Sequence, residues 1–469
     1  MKEHGHSFSM KKFWPFVVLT AGLTCSVFAA DKPNILLIVS DDQGYADLGF
    51  QGCKDIPTPN LDRLAAEGIR FSNGYVTHPF CSPSRAGLLT GRYQQRFGHE
   101  QNPWYDVNDH REGLPTSETL LPEFLRQAGY VTGWIGKWHL GAAPEFHPEV
   151  RGFMETFGFL GGGHQYLGWK PTLSGSGAEY SEPILRNNKP VEITNHLTIA
   201  FGNEGAAFVR RHQSEPWFLY LAFNAPHMPL QPTPERLERF KSIPDMKRRK
   251  YAAQVSLLDD AAGTVLDAIR ETGQDKRTLV FFFSDNGGPI MTNGWNGSSN
   301  LPLRGGKGDV YDGGMHVPFV MSWPGTLPAG RHYDMPVSTL DVFPTALALA
   351  GQPMPTNKIY DGVNLLPYLT GANTNVPNNK LFWRMGGGNK LAARDDNFKL
   401  VRMRRQPDEL YNLANDIGEK NDLAGSLPDT LKKVAVDLDN WNRQLVPPAF
   451  PGLAGHAANP KDPKQLVEP

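Results

Sequence analysis

An α/β fold built on a large, mostly parallel sheet sandwiched by helices, followed by a smaller C-terminal α+β unit with an antiparallel sheet, is what this 469-residue sequence predicts. Two observations carry the prediction. Continuous apolar runs, too uniformly hydrophobic for a sheet with one wet face, recur along the chain, and each ends in a polar cluster. Segments with helical periodicity separate them.

The elements follow in order. NILLIVS (34–40) is a buried strand that ends in Asp-Asp-Gln-Gly. TPNLDRLAAEG (58–68) has a Thr/Pro start, an apolar period and a stopping Gly, so it reads as a helix. TLLPEFLRQAG (119–129) reads the same way and leads into the strand YVTGWIG (130–136). PWFLYLAFNAP (216–226) and TLVFFFSDNGG (278–288) repeat the strand-then-polar-loop theme around a long helix, YAAQVSLLDDAAGTVLDAIRETG (251–273). VPFVMSWPG (317–325) is a further strand and STLDVFPTALALAG (338–351) a further helix. From 353 to 380 the chain is rich in Pro, Asn, Thr and Gly, which predicts a boundary between a catalytic domain, 31–378, and a small C-terminal domain, 379–469. Within the latter, FKLVRMRRQPDELYNL (398–413) reads as strand, turn and strand, KKVAVDLDNWNRQL (432–445) as helix, and the Pro-rich tail after Val446 as loosely held.

With 47 Lys+Arg against 48 Asp+Glu there is no basic field for nucleic acid or an anionic membrane, so an anionic substrate needs a local site. From Met10 the chain runs from Lys11-Lys12 through an apolar stretch to small residues before Asp31, the order of a secretory signal. Residues 1–30 therefore read as a signal peptide and the product as exported, periplasmic or secreted, with no membrane span. Loss of Lys2, Lys11 and Lys12 against Glu3 leaves the mature chain slightly more acidic. Removing Cys25 with the signal leaves Cys53 and Cys81, which in an oxidising compartment could pair.

Acids end two strands. Asp41-Asp42 and Asp285-Asn286 would meet if those strands are neighbours, and like charges so placed need a cation. Oxygen donors without soft partners favour Ca²⁺ or Mg²⁺. Cations also gather at strand ends: Lys137 and His139 in GKWHLG, His227 in APHMP, and Lys307 in the glycine-rich LRGGKGD. Beside a metal they suggest an anion with several oxygens. The last loop is no Walker motif, since neither Ser nor Thr follows Lys307.

Cys81-Ser82-Pro83-Ser84-Arg85, running on through Ala86-Gly87-Leu88-Leu89-Thr90-Gly91-Arg92, resembles the signature of the sulfatase family, of the alkaline phosphatase superfamily. The resemblance extends from NILLIVSDDQG to ELYNLANDIGEKNDLA. It implies that Cys81 is converted to formylglycine (3-oxoalanine) by a formylglycine-generating or anaerobic sulfatase-maturating enzyme, and so is no disulfide partner. It implies one Ca²⁺ held by Asp41, Asp42, Asp285, Asn286 and the modified Cys81. Arg85 would hold the formylglycine hydrate, Lys137 and Lys307 the sulfate oxygens. His139 would assist the hydrate hydroxyl, and His227 would sit at the leaving oxygen. A serine in place of Cys81 would lack the second hydroxyl that expels sulfate.

The implied activity is hydrolysis of sulfate esters, on a sulfated carbohydrate by export and abundant aromatics. GRYQQRFGHEQNPW (91–104) resembles a segment of sulfatases acting on carrageenan-type galactans or on galactosamine sulfate. Tyr105, His147, His164 and Trp169 are weighed as sugar contacts and set aside as structural. Two other readings stand beside it: a phosphoester or phosphonate hydrolase of the same superfamily, and a non-catalytic carbohydrate-binding relative whose Cys81 stays a thiol.

Overall fold

The computed structural model describes residues 1–6, 32–171, 180–291 and 295–453. The predicted signal segment lies mostly outside the described residues. From Lys32 onward the chain forms one compact unit.

A ten-stranded sheet is its spine, with Asn34–Ser40 near the middle. That strand pairs in parallel with Trp217–Ala222 on one side and Thr278–Ser284 on the other. Val131–Lys137 and Glu155–Phe159 continue the parallel order beyond Trp217–Ala222. Phe319–Ser322, the predicted strand at 317–325, runs antiparallel to Thr278–Ser284, so the sheet is mixed at that side.

The apolar runs are continuous because both faces are covered. Ile35, Leu37 and Val39 enter one hydrophobic core, while Leu36 and Ile38 enter the other, and all five are fully buried. Each such side chain contributes about 1.5–3 kcal/mol by leaving water. The second face is roofed by the helices Leu197–Arg211 and Met246–Glu271. The carboxylate of Asp245 caps the latter by accepting from Arg248 N at 2.7 Å. Asp259, inside it, accepts from Asn60 N and Leu61 N, satisfying first-turn donors of the helix Pro59–Ala66.

The first face holds the helix Cys81–Thr90, in which every residue is buried. Four antiparallel strands, Lys380–Met385, Lys390–Asp395, Phe398–Met403 and Glu409–Asn412, make the second sheet, and the helix Pro428–Asn442 packs on it. Leu391, Leu400, Val434, Leu438 and Trp441 share a core there with Tyr93 and Leu340 from the earlier chain. Trp383 Nε1 donates to Val76 O at 2.7 Å, so the four-stranded sheet is also tied to the earlier chain by a hydrogen bond.

Candidate active site

The predicted residues converge at the C-terminal ends of the parallel strands, where such sheets place their sites. Asp41 and Asp42 follow Asn34–Ser40, and Asp285 and Asn286 follow its neighbour Thr278–Ser284. Lys137 is the last residue of its strand, with His139 just beyond. Gly136 makes that delivery possible: its φ is 114°, and a Cβ there would lie 1.9 Å from Ala222 O. His227 lies in the loop after Trp217–Ala222, and Lys307 comes from the glycine-rich loop. Cys81 is the first residue of its buried helix, at the positive end of the helix dipole.

The contacts are short. Cys81 Sγ lies 3.4 Å from Asp41 Oδ1 and 3.9 Å from Asp42 Oδ1. Lys137 Nζ lies 2.7 Å from Asp41 Oδ2. Arg85 donates to Asp285 Oδ2 through Nη2 at 2.8 Å and Nε at 3.0 Å. Asn286 Nδ2 donates to Asp42 Oδ1 at 2.7 Å, and Lys307 Nζ reaches Asp42 Oδ2 at 3.0 Å. His227 Nδ1 donates to Met228 O at 2.6 Å, which turns Nε2 toward Lys307 Nζ at 3.4 Å and Asp42 Oδ2 at 3.5 Å. His139 is buried with no hydrogen-bond partner on either ring nitrogen among the described residues.

Burial and mutual charge set the protonation states. Burial and the neighbouring Asp41 push Asp285 up to about 6, against the pull of Arg85. Burial works to raise Asp42 too, but Lys307, His227 and Lys137 outweigh it and hold it below the usual carboxylate range. The Cys81 thiol is pushed well up by burial, so this sulfur is not a ready thiolate. Burial and the charges of Lys137, Arg85 and Lys307 hold His139 well below its ordinary value, leaving a neutral imidazole. His227 is lowered to about 4, chiefly by burial.

The cluster, two carboxylates with a thiol and an imidazole, could hold a metal ion. Ligand atoms of Asp41, Asp42, Cys81 and His227 lie within 4.8 Å of one another, and buried Asn286 Oδ1 lacks a hydrogen-bond partner among the described residues. An orphaned buried amide oxygen beside carboxylates costs free energy unless a cation takes it.

Several supporting residues carry no signal in the motifs. Tyr220 Oη accepts from Arg85 Nη1 at 3.4 Å, and Tyr166 Oη lies 2.9 Å from His227 O. Tyr220 sits inside an apolar strand that reads only as core, and Tyr166 in a loop stretch with no pattern of its own. His99 Nε2 lies 2.6 Å from Ser82 Oγ, and Asn102 Oδ1 accepts from Ser82 N at 3.1 Å. The segment 91–104 thus braces the start of the helix that carries Cys81. His147 and His164 each have both ring nitrogens on other groups, and Trp169 packs edge-on against His164. Cys53 and Cys81 are unpaired, as the family resemblance requires of Cys81.

Residues 33–352 match the Sulfatase family model, and residues 306–442 match the model for the C-terminal part of N-sulphoglucosamine sulphohydrolase. The chain is 37% identical over 382 residues to N-acetylgalactosamine-6-sulfatase of Canis lupus familiaris, covering 76% of this chain and 69% of that protein. It is 37% identical over 388 residues to arylsulfatase A of Homo sapiens, covering 78% and 73%. The crystal structure of Ps i-CgsB in complex with k-i-k-neocarrahexaose superposes with a TM-score of 0.83 at 38% identity, covering 90% of this chain and 95% of that one. Phosphonate monoester hydrolase SpPMH from Silicibacter pomeroyi, at 20% identity and a TM-score of 0.65, shares the fold. With two thirds of its length matched by the family model, relatives of this identity and a sheet of this topology, the chain belongs to the sulfatase family of sulfuric ester hydrolases.

Proposed function

We propose that the protein is an exported, calcium-dependent sulfatase acting on a sulfated carbohydrate through a formylglycine formed from Cys81. The observation that carries this reading is the seat of Cys81: its Sγ is 3.4 Å from Asp41 among the buried Asp42, Asp285, Lys137 and His139, with the partly exposed His227 and Lys307 beside them. A thiol whose ionisation is suppressed there is a poor nucleophile, which favours conversion to another group.

When present, the modified residue supplies a geminal diol, one hydroxyl to attack sulfur and one to expel sulfate, and calcium supplies positive charge toward the sulfate oxygens. Asp41, Asp42, Asp285 and Asn286 would hold the calcium together with residue 81. Arg85 lies one helical turn from residue 81, on the same face, and orients it. Lys137 and Lys307 bring ammonium charge to the sulfate oxygens. His139, held neutral, takes the proton of the attacking hydroxyl. His227, neutral in the free site with its proton on Nδ1, takes up a second proton at Nε2 when the anionic sulfate binds beside it and delivers that proton to the leaving oxygen.

The names of the 37%-identical N-acetylgalactosamine-6-sulfatase and of the 38%-identical structure with a bound neocarrahexaose support a sulfated galactosamine or a carrageenan-type galactan as substrate. Residues 1–30 act as the export signal, 31–378 as the catalytic domain and 379–469 as its C-terminal companion. A formylglycine-generating or anaerobic maturating enzyme is the required partner. No helix among the described residues is long and apolar enough to cross a membrane.

Two measurements test the reading. Mass spectrometry of the tryptic peptide containing residue 81 should find the thiol replaced by an aldehyde, and an unmodified thiol would favour the non-catalytic binding protein. A panel of sulfated oligosaccharides should release sulfate. Faster hydrolysis of phosphonate or phosphate diesters would favour the other hydrolase reading.

A further inference from the structure

We propose that Lys399, in the antiparallel C-terminal sheet, is a positioning residue that locks the segment 312–314 against both loops bearing site residues: that of Lys307 and that of Asp285 and Asn286. The inference rests on the roles of those residues given above.

The Lys399 side chain is fully buried, and its Nζ lies 2.6 Å from Asp312 Oδ1 and 2.8 Å from Glu419 Oε1. Burial opposes its charge, but Asp312 and Glu419 outweigh burial and hold its pKa above the ordinary value. Two carboxylates on one ammonium leave an excess of negative charge, which further donors soften. Tyr75 Oη donates to Asp312 Oδ2 at 2.8 Å, and His316 Nδ1 lies 3.1 Å from the same oxygen. Asp312 N donates to Glu419 Oε2 at 2.8 Å, so the ammonium fixes the backbone as well as the side chains.

That backbone touches both loops directly. Gly313 N donates to Arg304 O at 2.7 Å, at the start of the loop carrying Lys307. Gly287 N, next to Asn286, donates to Gly314 O at 3.0 Å. Lys307 N closes the circuit by donating to Gly288 O at 3.1 Å. No slack exists in these contacts: a Cβ on Gly313 would lie 2.0 Å from Gly305 O, and one on Gly287 would lie 1.8 Å from Gly313 O. Arg304 is held a second time, Nη1 donating to Glu419 O at 2.9 Å. A shift of Asp312 is therefore passed as a shift of Lys307 relative to Asp42.

Lys399→Met, in the full-length protein, tests this. Hydrogen–deuterium exchange should rise about tenfold or more in peptides covering 285–288 and 303–314 while strands 34–40 and 217–222 stay protected. The variant's kcat should fall about 10²-fold with wild-type Lys307 in place, and by a clearly smaller factor when the background is Lys307→Ala, because one of the groups it positions is already gone and only the loss through Asp285 and Asn286 remains. Exchange that rises uniformly or nowhere, or losses that multiply in the double variant, would overturn the proposal. If Lys399→Met does not fold, Glu419→Gln removes one of the two carboxylates and is read in the same way. A wild-type protein that releases no sulfate would defeat the sulfatase reading, and the exchange data would still decide the role of Lys399.

Discussion

Ser40 and Ser284 are register partners at the ends of two adjacent parallel strands. That one pairing places Asp41-Asp42 beside Asp285-Asn286, across more than half the length of the chain. Three carboxylates meet there because a sheet register is specified by its buried faces, and a one-residue slip would turn both acid pairs away from each other.

Cys81→Ala and Cys81→Ser should each lower multiple-turnover sulfate release by about 10³-fold or more while leaving the far-ultraviolet circular dichroism unchanged. The serine variant should still attack once, so a rapid-quench experiment should find a single sulfated equivalent on residue 81. Repeated turnover by Cys81→Ser at the wild-type rate would remove the second hydroxyl from the mechanism.

Stripping the metal should lower the melting temperature, because Asp41, Asp42 and Asp285 then face one another with only Arg85, Lys137 and Lys307 to balance them. A ligand at a hundred times its dissociation constant stabilises by about 2.7 kcal/mol. Calorimetry with chelator and with restored Ca²⁺ should show a reversible shift of that order, and an unmoved transition would speak against these ligands.

His227→Ala should cost about 10²–10⁴-fold on a sugar sulfate, whose alcohol leaves poorly without a proton, and far less on an activated aryl sulfate. Lys307→Ala, which removes a sulfate contact, should slow both substrates alike. Equal losses on the two substrates for His227→Ala would make it a binding group rather than a proton donor.

Acid should destabilise the fold through His78 and His99, both fully buried and both lowered to about 3 chiefly by burial. A group with a depressed folded pKa contributes stability that is complete above its unfolded value, near 6.5, and is lost as pH falls toward the folded value. Between pH 6.5 and 5 each should cost about 2 kcal/mol. Chemical denaturation at pH 7 and pH 5 measures this, and His99→Gln should shrink the difference between the two. A variant with the wild-type pH dependence would show that this residue does not titrate on unfolding.

Much of this was readable beforehand where one physical rule dominates. The strand Asn34–Ser40 appears in the sequence at its structural bounds, and Thr278–Ser284 within the segment read at 278–288, because full burial on both faces leaves an unbroken apolar run. The helix Leu197–Arg211 was not read. Its Gly202 and Gly205 lower helix propensity, yet they let it approach Met246–Glu271 closely: a Cβ on Gly202 would lie 2.8 Å from Ala261 O. The short strands Glu155–Phe159 and Ile184–Arg186 were missed too, being too brief for a period to show. In the site, residues that end strands stood out because polar groups interrupt apolar runs there. Tyr220 and Lys399 did not, because their partners lie far away in sequence and nothing local marks them.

The burial of Cys81 also decides how the modification can be counted. Cys81 is 1% exposed, and the Cys53 thiol, pushed up to about 11 by burial and by its hydrogen bond to Asp55, is almost wholly un-ionised at neutral pH. Alkylating reagents react with thiolates, so the native protein should be nearly silent toward them whether or not residue 81 is converted. Only in denaturant, with both positions released, would a converted chain return one equivalent of thiol fewer than an unconverted one, and the shortfall in equivalents per chain would give the fraction of molecules converted.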